Sequence, residues 1–506
     1  MVFNVGGRAL LTLLALAVTP VLVRRLGTEV YGIYVLAFSL GGTLAILDIG
    51  LTPAVVMLLS RAWQANDRDR MERIIGTALT TFLIAGAVLG GIVALLVPWL
   101  VTSVLHVASR LQPAAEAALW LSAAGFLLSL IFSVYNAVPV ALERFELTVL
   151  RTVAVSLLTT AAVIVYALAG GNLVGVMLIN VIGNAVALGL FILVSRRLLP
   201  GIRMRPLFDR AIFKAMARFS AFKFAGGFSG LIVYRFDQVA IGAILGVRAA
   251  GVYVVPVTAA ARILALLNDL LLPLFPRISK LASEPAAVRS LLLRATRLMA
   301  LAAAPAFVIL FIFADAIIRA WIGGEPGRVL AIEGSTTLRW LAAASLIQAI
   351  AVVPIIVSEA VGKPEVNNGF AVLSAIVTVP LVLILVPRLG IEGAAIAYFI
   401  TSITLTLAFI FYAVRRFAQV GIRQLISESL LRPLLAAGIA GIVGALIHPL
   451  VTGLVSLMLA VLLVVALYAL AVRLVSAITP DDFDYLAPYV RRLPGPLNRI
   501  LPARIP

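Results

Sequence analysis

The chain contains no cysteine, only two histidines and only four lysines among 506 residues, and charged residues make up just 12% of it. Without cysteine there can be no disulfide framework, iron–sulfur cluster or thiolate zinc site. The histidines, His106 and His448, stand far apart near the ends of apolar runs and form no metal motif. No metal, no cofactor and no redox chemistry is therefore expected. Charges are so scarce, against about 25% in an ordinary soluble domain, that a water-soluble enzyme of this size is excluded as well. What fills the chain instead is hydrocarbon: 63% of its residues are hydrophobic, in continuous runs such as 10–23 and 454–472. A spanning helix needs roughly 20 apolar residues, whereas a membrane barrel would alternate in polarity over segments of about ten. The expected fold class is an all-α polytopic membrane protein.

Apolar runs between charged punctuation give about fourteen transmembrane helices. Six lie at 3–23, 31–59, 74–97, 117–138, 153–169 and 173–194. Six more lie at 220–245, 249–274, 299–318, 341–357, 370–386 and 393–414, and two at 434–447 and 454–472. Cytoplasmic loops carry the excess of Lys and Arg. With the N-terminus inside, 28 of the 40 basic residues fall in inner segments, Arg144 and Arg151 among them, and eight in outer ones. Both termini are expected in the cytoplasm. The net charge of +18 then reads as topology and contact with anionic membrane lipids, with no nucleic acid as partner.

The sequence repeats itself. Leu26-Gly27-Thr28-Glu29-Val30-Tyr31-Gly32-Ile33-Tyr34-Val35 aligns with Leu245-Gly246-Val247-Arg248-Ala249-Ala250-Gly251-Val252-Tyr253-Val254 at an offset of 219, matching at Leu, Gly, Gly, Tyr and Val. Each segment forms the outer turn between the first two spans of a half, and each second span carries an Asp followed by Pro, Asp48 with Pro53 and Asp269 with Pro273. A repeat of six helices, an even number, implies two pseudo-symmetric lobes related by an axis along the membrane normal. The expected organisation is a six-helix lobe at 1–195, a basic cytoplasmic linker at 196–219, a second six-helix lobe at 220–414, two additional helices at 415–475 and a cytoplasmic tail at 476–506.

The opening, with Arg8, then Leu26-Gly27-Thr28-Glu29-Val30-Tyr31-Gly32 and Leu47-Asp48-Ile49-Gly50-Leu51, resembles bacterial polysaccharide flippases of the multidrug/oligosaccharidyl-lipid/polysaccharide exporter superfamily. Asp237, Ile241-Gly242 and Leu245-Gly246 leading to Gly251-Val252-Tyr253 look like the counterpart in the second lobe. The resemblance implies a flippase, not an enzyme, that moves a polyprenyl-diphosphate-linked oligosaccharide from the inner to the outer leaflet of a bacterial plasma membrane by alternating access. Polysaccharide polymerase machinery is an implied partner.

Four basic residues remain inside apolar runs: Arg8, Lys223, Arg235 and Arg262. An ionisable group within a span is a functional hypothesis by default. All four come from spans one, seven and eight, which would border a central cleft in a two-lobe transporter. Guanidinium stays charged when desolvated and offers paired donors, so these residues are the candidates for binding the diphosphate and sugar headgroup. Lys223 has the alternative of snorkelling to the interface. Asp48, Asp237 and Asp269 are the interior acids, with roles in coupling to sodium or a proton or in pairing with the arginines. Arg262 and Asp269 are seven apart and share a helix face, about 10 Å along it; Arg235 and Asp237 point to different sides. Asp48, near Gly50 and Pro53, also suits a bend. Two other classes stay open: a multidrug-type antiporter, which would want an acidic pocket, and a membrane-embedded glycosyl transferase or ligase, which would want clustered acids in a sizeable loop. The longest outer loop, 323–339, offers only Glu325 and Glu333.

Overall fold

In hydrocarbon every backbone N–H and C=O must be satisfied within the protein, and a chain this apolar has helices as its solution. The computed structural model describes residues 16–44, 46–271, 274–281 and 284–478, and helices with short connections account for them, with no strand. The first half holds α1 (16–26), α2 (Thr28–Leu44), α3 (Ile46–Gln64), α4 (Arg68–Trp99), α5 (Gln112–Ala141), α6 (Phe145–Leu168) and α7 (Leu173–Leu198). Then follow α8 (Arg210–Leu245), α9 (Val247–Leu270), α10 (Leu274–Leu281), α11 (Pro285–Ile312), α12 (Ala314–Ile322) and α13 (Gly324–Ala360). The chain continues with α14 (Pro364–Leu389), α15 (Ile391–Thr401), α16 (Leu407–Ala418), α17 (Ile422–Leu425), α18 (Leu431–Ile447) and α19 (Leu454–Leu474).

Among the described residues, eleven helical stretches are long and apolar enough to cross a membrane. The expected spans 31–59 and 220–245 fall on α2 with α3 and on α8, and of the expected span 3–23 the part within the described residues, 16–23, falls on α1. The protein is a multi-pass helical membrane protein. Helix starts follow local chemistry: the side chains of Asp67, Asn172 and Asp209 each accept a hydrogen bond from an otherwise unsatisfied first-turn amide, at 2.9 Å.

Boundaries depart from the hydropathy reading mostly at helix starts: α6 begins at 145 where 153 was expected, α11 at 285 where 299 was expected, and two further starts show the reason. The seventh span begins at Arg210, ten residues before the expected 220, because Asp209 caps a helix that continues without a break. The stretch 323–339, expected to be a loop, is the first part of α13: Gly323 and Gly324 take the left-handed turn at φ 69° and 63°, and helix follows at once. The basic linker is also tied down. Leu207 N donates to Gly76 O at 3.2 Å, Thr80 Oγ1 donates to Leu207 O at 2.8 Å, and Asp209 N donates to Thr77 Oγ1 at 3.1 Å, so the linker lies along the start of α4.

Packing groups the chain into two compact units. One consists of Met1–Ala259, Trp321–Thr337 and Asn368–Thr401. Its core is built in two parts: Leu36, Leu119, Met177, Ile241 and Tyr253 in the first, Leu59, Ile74, Phe82, Phe126 and Phe191 in the second. The other unit consists of Ala260–Ala320, Leu338–Asn367 and Ser402–Pro506. There α18 lays a small-residue face (Ala436, Ala440, Gly441, Gly444) against α11, where a Cβ on Gly441 would stand 2.9 Å from Val308 Cγ1. Small residues are what allow helices to approach closely in lipid. The Tyr468 hydroxyl donates to Leu301 O at 2.9 Å and fastens α19 to the same helix.

Candidate functional site

The residues singled out by sequence are distributed unevenly through the described structure. Arg8 lies outside the described residues. Asp48 falls on α3, and Lys223 and Arg235 on α8, but their side chains lie outside the description. Asp237 is on α8 in the first unit; Arg262 and Asp269 are on α9 in the second, both partly buried and both engaged with other groups.

Asp237 has the best-defined surroundings. The fully buried Tyr253 of α9 donates its hydroxyl to Asp237 Oδ2 at 2.5 Å, and Gln238 N donates to Oδ1 at 2.8 Å. The next residue, Gln238, accepts a hydrogen bond from Ser39 Oγ of α2 through its side-chain oxygen at 2.5 Å. Both Ser39 and Gln238 are buried. Tyr253 was legible as a repeat residue, the counterpart of Tyr34, yet its role as donor to Asp237 depends on a pairing between helices that no local pattern reveals.

The repeat itself is visible in the packing of the first unit. Gly27 and Gly246, equivalent at the offset of 219, both take a left-handed φ, 83° and 88°, just before α2 and α9. Gly32 and Gly251, equivalent as well, meet each other. A Cβ on Gly32 would lie 1.8 Å from Val247 O, and one on Gly251 would lie 2.4 Å from Thr28 O, so only glycine permits this crossing. The equivalent pair Glu29 and Arg248 carry opposite charges and bind opposite partners: Arg110 Nη2 to Glu29 Oε2 at 2.6 Å, Arg248 Nη2 to Glu333 Oε1 at 2.7 Å. Arg24, expected in a loop, donates from Nε to Ile322 O, while Trp321 Nε1 donates to Leu16 O at 2.8 Å.

In the second unit His448 has a partner that sequence did not indicate. Its Nε2 lies 2.8 Å from Asp315 Oδ1 on α12, and Arg319 Nη2 lies 3.7 Å from Asp315 Oδ2 while donating to Val451 O at 3.2 Å. Asp315, expected towards the end of a span, sits on α12, apart from the spanning helices. Partial burial pushes its carboxyl up, but the hydrogen bond and charge of His448, with the amides of Ala316 and Asp315, outweigh that and hold it below the ordinary carboxylate value.

A third cluster was missed altogether. Arg151, counted as a loop residue, sits in the second turn of α6, and its guanidinium carbon lies 3.8 Å from the centroid of Phe132 and 5.5 Å from that of Phe191. Its surroundings are a cavity between α6 and α7.

Comparison with known proteins places these features in context. The family described as polysaccharide biosynthesis protein matches residues 21–325. A Shigella flexneri protein described as a candidate O-antigen transporter is 21% identical over 406 residues, covering 79% of this chain and 94% of its own. Among solved structures, the lipid II flippase MurJ in an inward closed conformation superposes with a TM-score of 0.73 at 14% identity, over 93% of this chain and 97% of its own. An inward-facing multidrug resistance MATE family transporter of the MOP superfamily superposes with a TM-score of 0.67 at 19% identity, over 81% and 95%. The helical fold is thus shared with both transporters.

Proposed function

Since the chain belongs to the polysaccharide biosynthesis protein family, we propose that it is a flippase carrying a polyprenyl-diphosphate-linked oligosaccharide from the inner to the outer leaflet of a bacterial plasma membrane. Both termini are cytoplasmic in this reading, as the distribution of basic residues requires. The supporting observation is the cationic content of apolar helices. Arg262 is partly buried on α9, and Arg235 and Lys223 are on α8. Arg8 completes the set from the first span. Fixed cations in a span are costly and suit an anionic headgroup, which guanidinium binds through paired charge-assisted hydrogen bonds.

The two lobes expected from the repeat expose this cationic passage alternately to either side, with the diphosphate held by arginines while the polyprenyl chain stays in lipid. Asp237, held by Tyr253 and the Gln238 amide, takes sodium or a proton and couples the return step to an ion gradient. Asp269 and Asp48 serve pairing and gating. The names of relatives support transport rather than an enzymatic reaction: one is a candidate O-antigen transporter and another a lipid II flippase.

The experiment is lipid retention. The protein is purified in mild detergent, and co-purifying glycolipid is identified by native mass spectrometry for wild type and for Arg235→Ala with Arg262→Ala. Retention by wild type and loss in the double variant is the expected result. Retention of no glycolipid by either form, with organic cations bound instead, moves the multidrug-type reading ahead.

A further inference from the structure

We propose that the cavity between α6 and α7 is a second binding site, in which Arg151 holds the phosphate of a lipid headgroup whose chains lie along the exposed apolar face of α6. The helix has two unlike faces. Leu150, Leu158 and Val165 are 69%, 69% and 66% exposed, the surface expected against lipid tails. Thr148, Arg151, Thr152, Ser156 and Thr159 recur at helical spacing on another face, and four of these five line the cavity. From α7 the opposite wall brings Asn180, Gly183 and Asn184, again at helical spacing. A Cβ on Gly183 would stand 2.5 Å from Thr159 Oγ1, so the two polar rows face each other because this position has no side chain.

The cavity measures about 210 Å³, far more than a single water needs. Its hydrogen-bond inventory is specific. Thr152 Oγ1 donates to Thr148 O and Asn180 Nδ2 to Val176 O, both at 2.8 Å, so each offers an acceptor to the cavity. Donors come from Asn184, Ser156 and the Arg151 guanidinium. Arg151 Nε is buried without a hydrogen-bond partner, and Arg151 has no ion pair among the described residues. The ring of Phe132 beneath it fixes the plane of the guanidinium and compensates its charge in part, leaving an oriented cation with unused donors. One cation with a mixture of donors and acceptors matches a phosphodiester next to a hydroxylated group. Glycerol and a sugar both supply such a group, so the ligand is a phosphate-bearing lipid, either a bilayer phospholipid or the lipid-linked glycan. This site is independent of Arg262, and the proposal stands whichever cargo the protein carries.

The full chain, delipidated in detergent, is titrated with phosphatidylglycerol, with phosphatidylcholine and with a polyprenyl diphosphate sugar, and occupancy is read by native mass spectrometry. Arg151→Gln is expected to weaken binding of phosphatidylglycerol or of the polyprenyl lipid about tenfold or more, as loss of a charge-assisted contact does, and to change binding of phosphatidylcholine, whose headgroup has no hydroxyl, less. Arg151→Lys restores part of it. Ser156→Leu, which fills the cavity and keeps the arginine, gives the same loss if the glutamine variant does not fold. Loss confined to phosphatidylglycerol makes the cavity a bilayer-lipid site and leaves the flippase reading untouched. Loss confined to the polyprenyl lipid makes it a second cargo contact. Equal binding of every lipid by wild type, Arg151→Gln and Ser156→Leu, each with unchanged thermal unfolding, overturns the proposal.

Discussion

At the scale of single residues, two polar contacts set the expectations. Tyr253→Phe removes the hydroxyl that Asp237 Oδ2 accepts from, and a partly buried carboxylate that loses such a donor costs about 1–2 kcal/mol. The midpoint of thermal unfolding in detergent should fall, and Asp237→Asn added to Tyr253→Phe should cost less than it does alone, because the shared contact is already gone. Equal and additive costs would show that the two side chains act separately. Asp315 makes a prediction about pH. Its carboxyl is held below the ordinary carboxylate value by His448, so its contribution is present in full above that value and is lost as pH falls through the lowered one. The difference in unfolding midpoint between wild type and Asp315→Asn should therefore be largest near neutrality and shrink in acid. A difference that grows in acid would remove the His448 contact from the account. Neither contact was legible in the sequence. Asp237 was recognised from its place in an apolar run, but Tyr253 and His448 meet their partners only through packing across 16 and 133 positions.

At the scale of helices, glycine decides how close two elements come. Gly251 leaves its would-be Cβ 2.4 Å from Thr28 O, whereas a Cβ on Gly189 would meet nothing within 4 Å. Gly251→Ala should destabilise by about 1–3 kcal/mol through overpacking. Gly189→Ala, at a helical site with open space, should be neutral or stabilise by roughly 0.5–1 kcal/mol. Thermal unfolding of the two variants side by side checks both, and a stabilised Gly251→Ala would mean that α2 and α9 do not cross there. Much of this element-level structure was readable beforehand. The aligned glycines announced the repeat because a close crossing needs glycine in both copies. Hydropathy located the spans because lipid rewards continuous apolar length. It misplaced the starts of α8 and α13, since a spanning helix continues into polar sequence wherever a cap such as Asp209 lets it. Arg151 was lost for the same reason: a boundary drawn at the first charge put it in a loop, and its stacking on Phe132 is invisible along the chain.

At the scale of the whole molecule, the composition excluded soluble chemistry, the spans and the six-helix repeat pointed to a transporter, and only the family resemblance of particular motifs implied a flippase over a multidrug-type antiporter. The helical fold, shared with a lipid II flippase and a MATE family transporter at low identity, is common to machines that differ in cargo, so the charge of the proposed passage is what has to be tested. In the proposed reading Arg235 and Arg262 carry that charge. The most direct measurement reconstitutes the protein in liposomes with a fluorescent polyprenyl-diphosphate oligosaccharide and follows its arrival in the opposite leaflet with a membrane-impermeant quencher. Wild type should move the lipid faster than protein-free vesicles, and Arg235→Ala with Arg262→Ala should slow it about tenfold or more, the scale set by losing charge-assisted contacts. Movement no faster than in empty vesicles, or a double variant as fast as wild type, would contradict the cationic passage as the route of an anionic glycolipid.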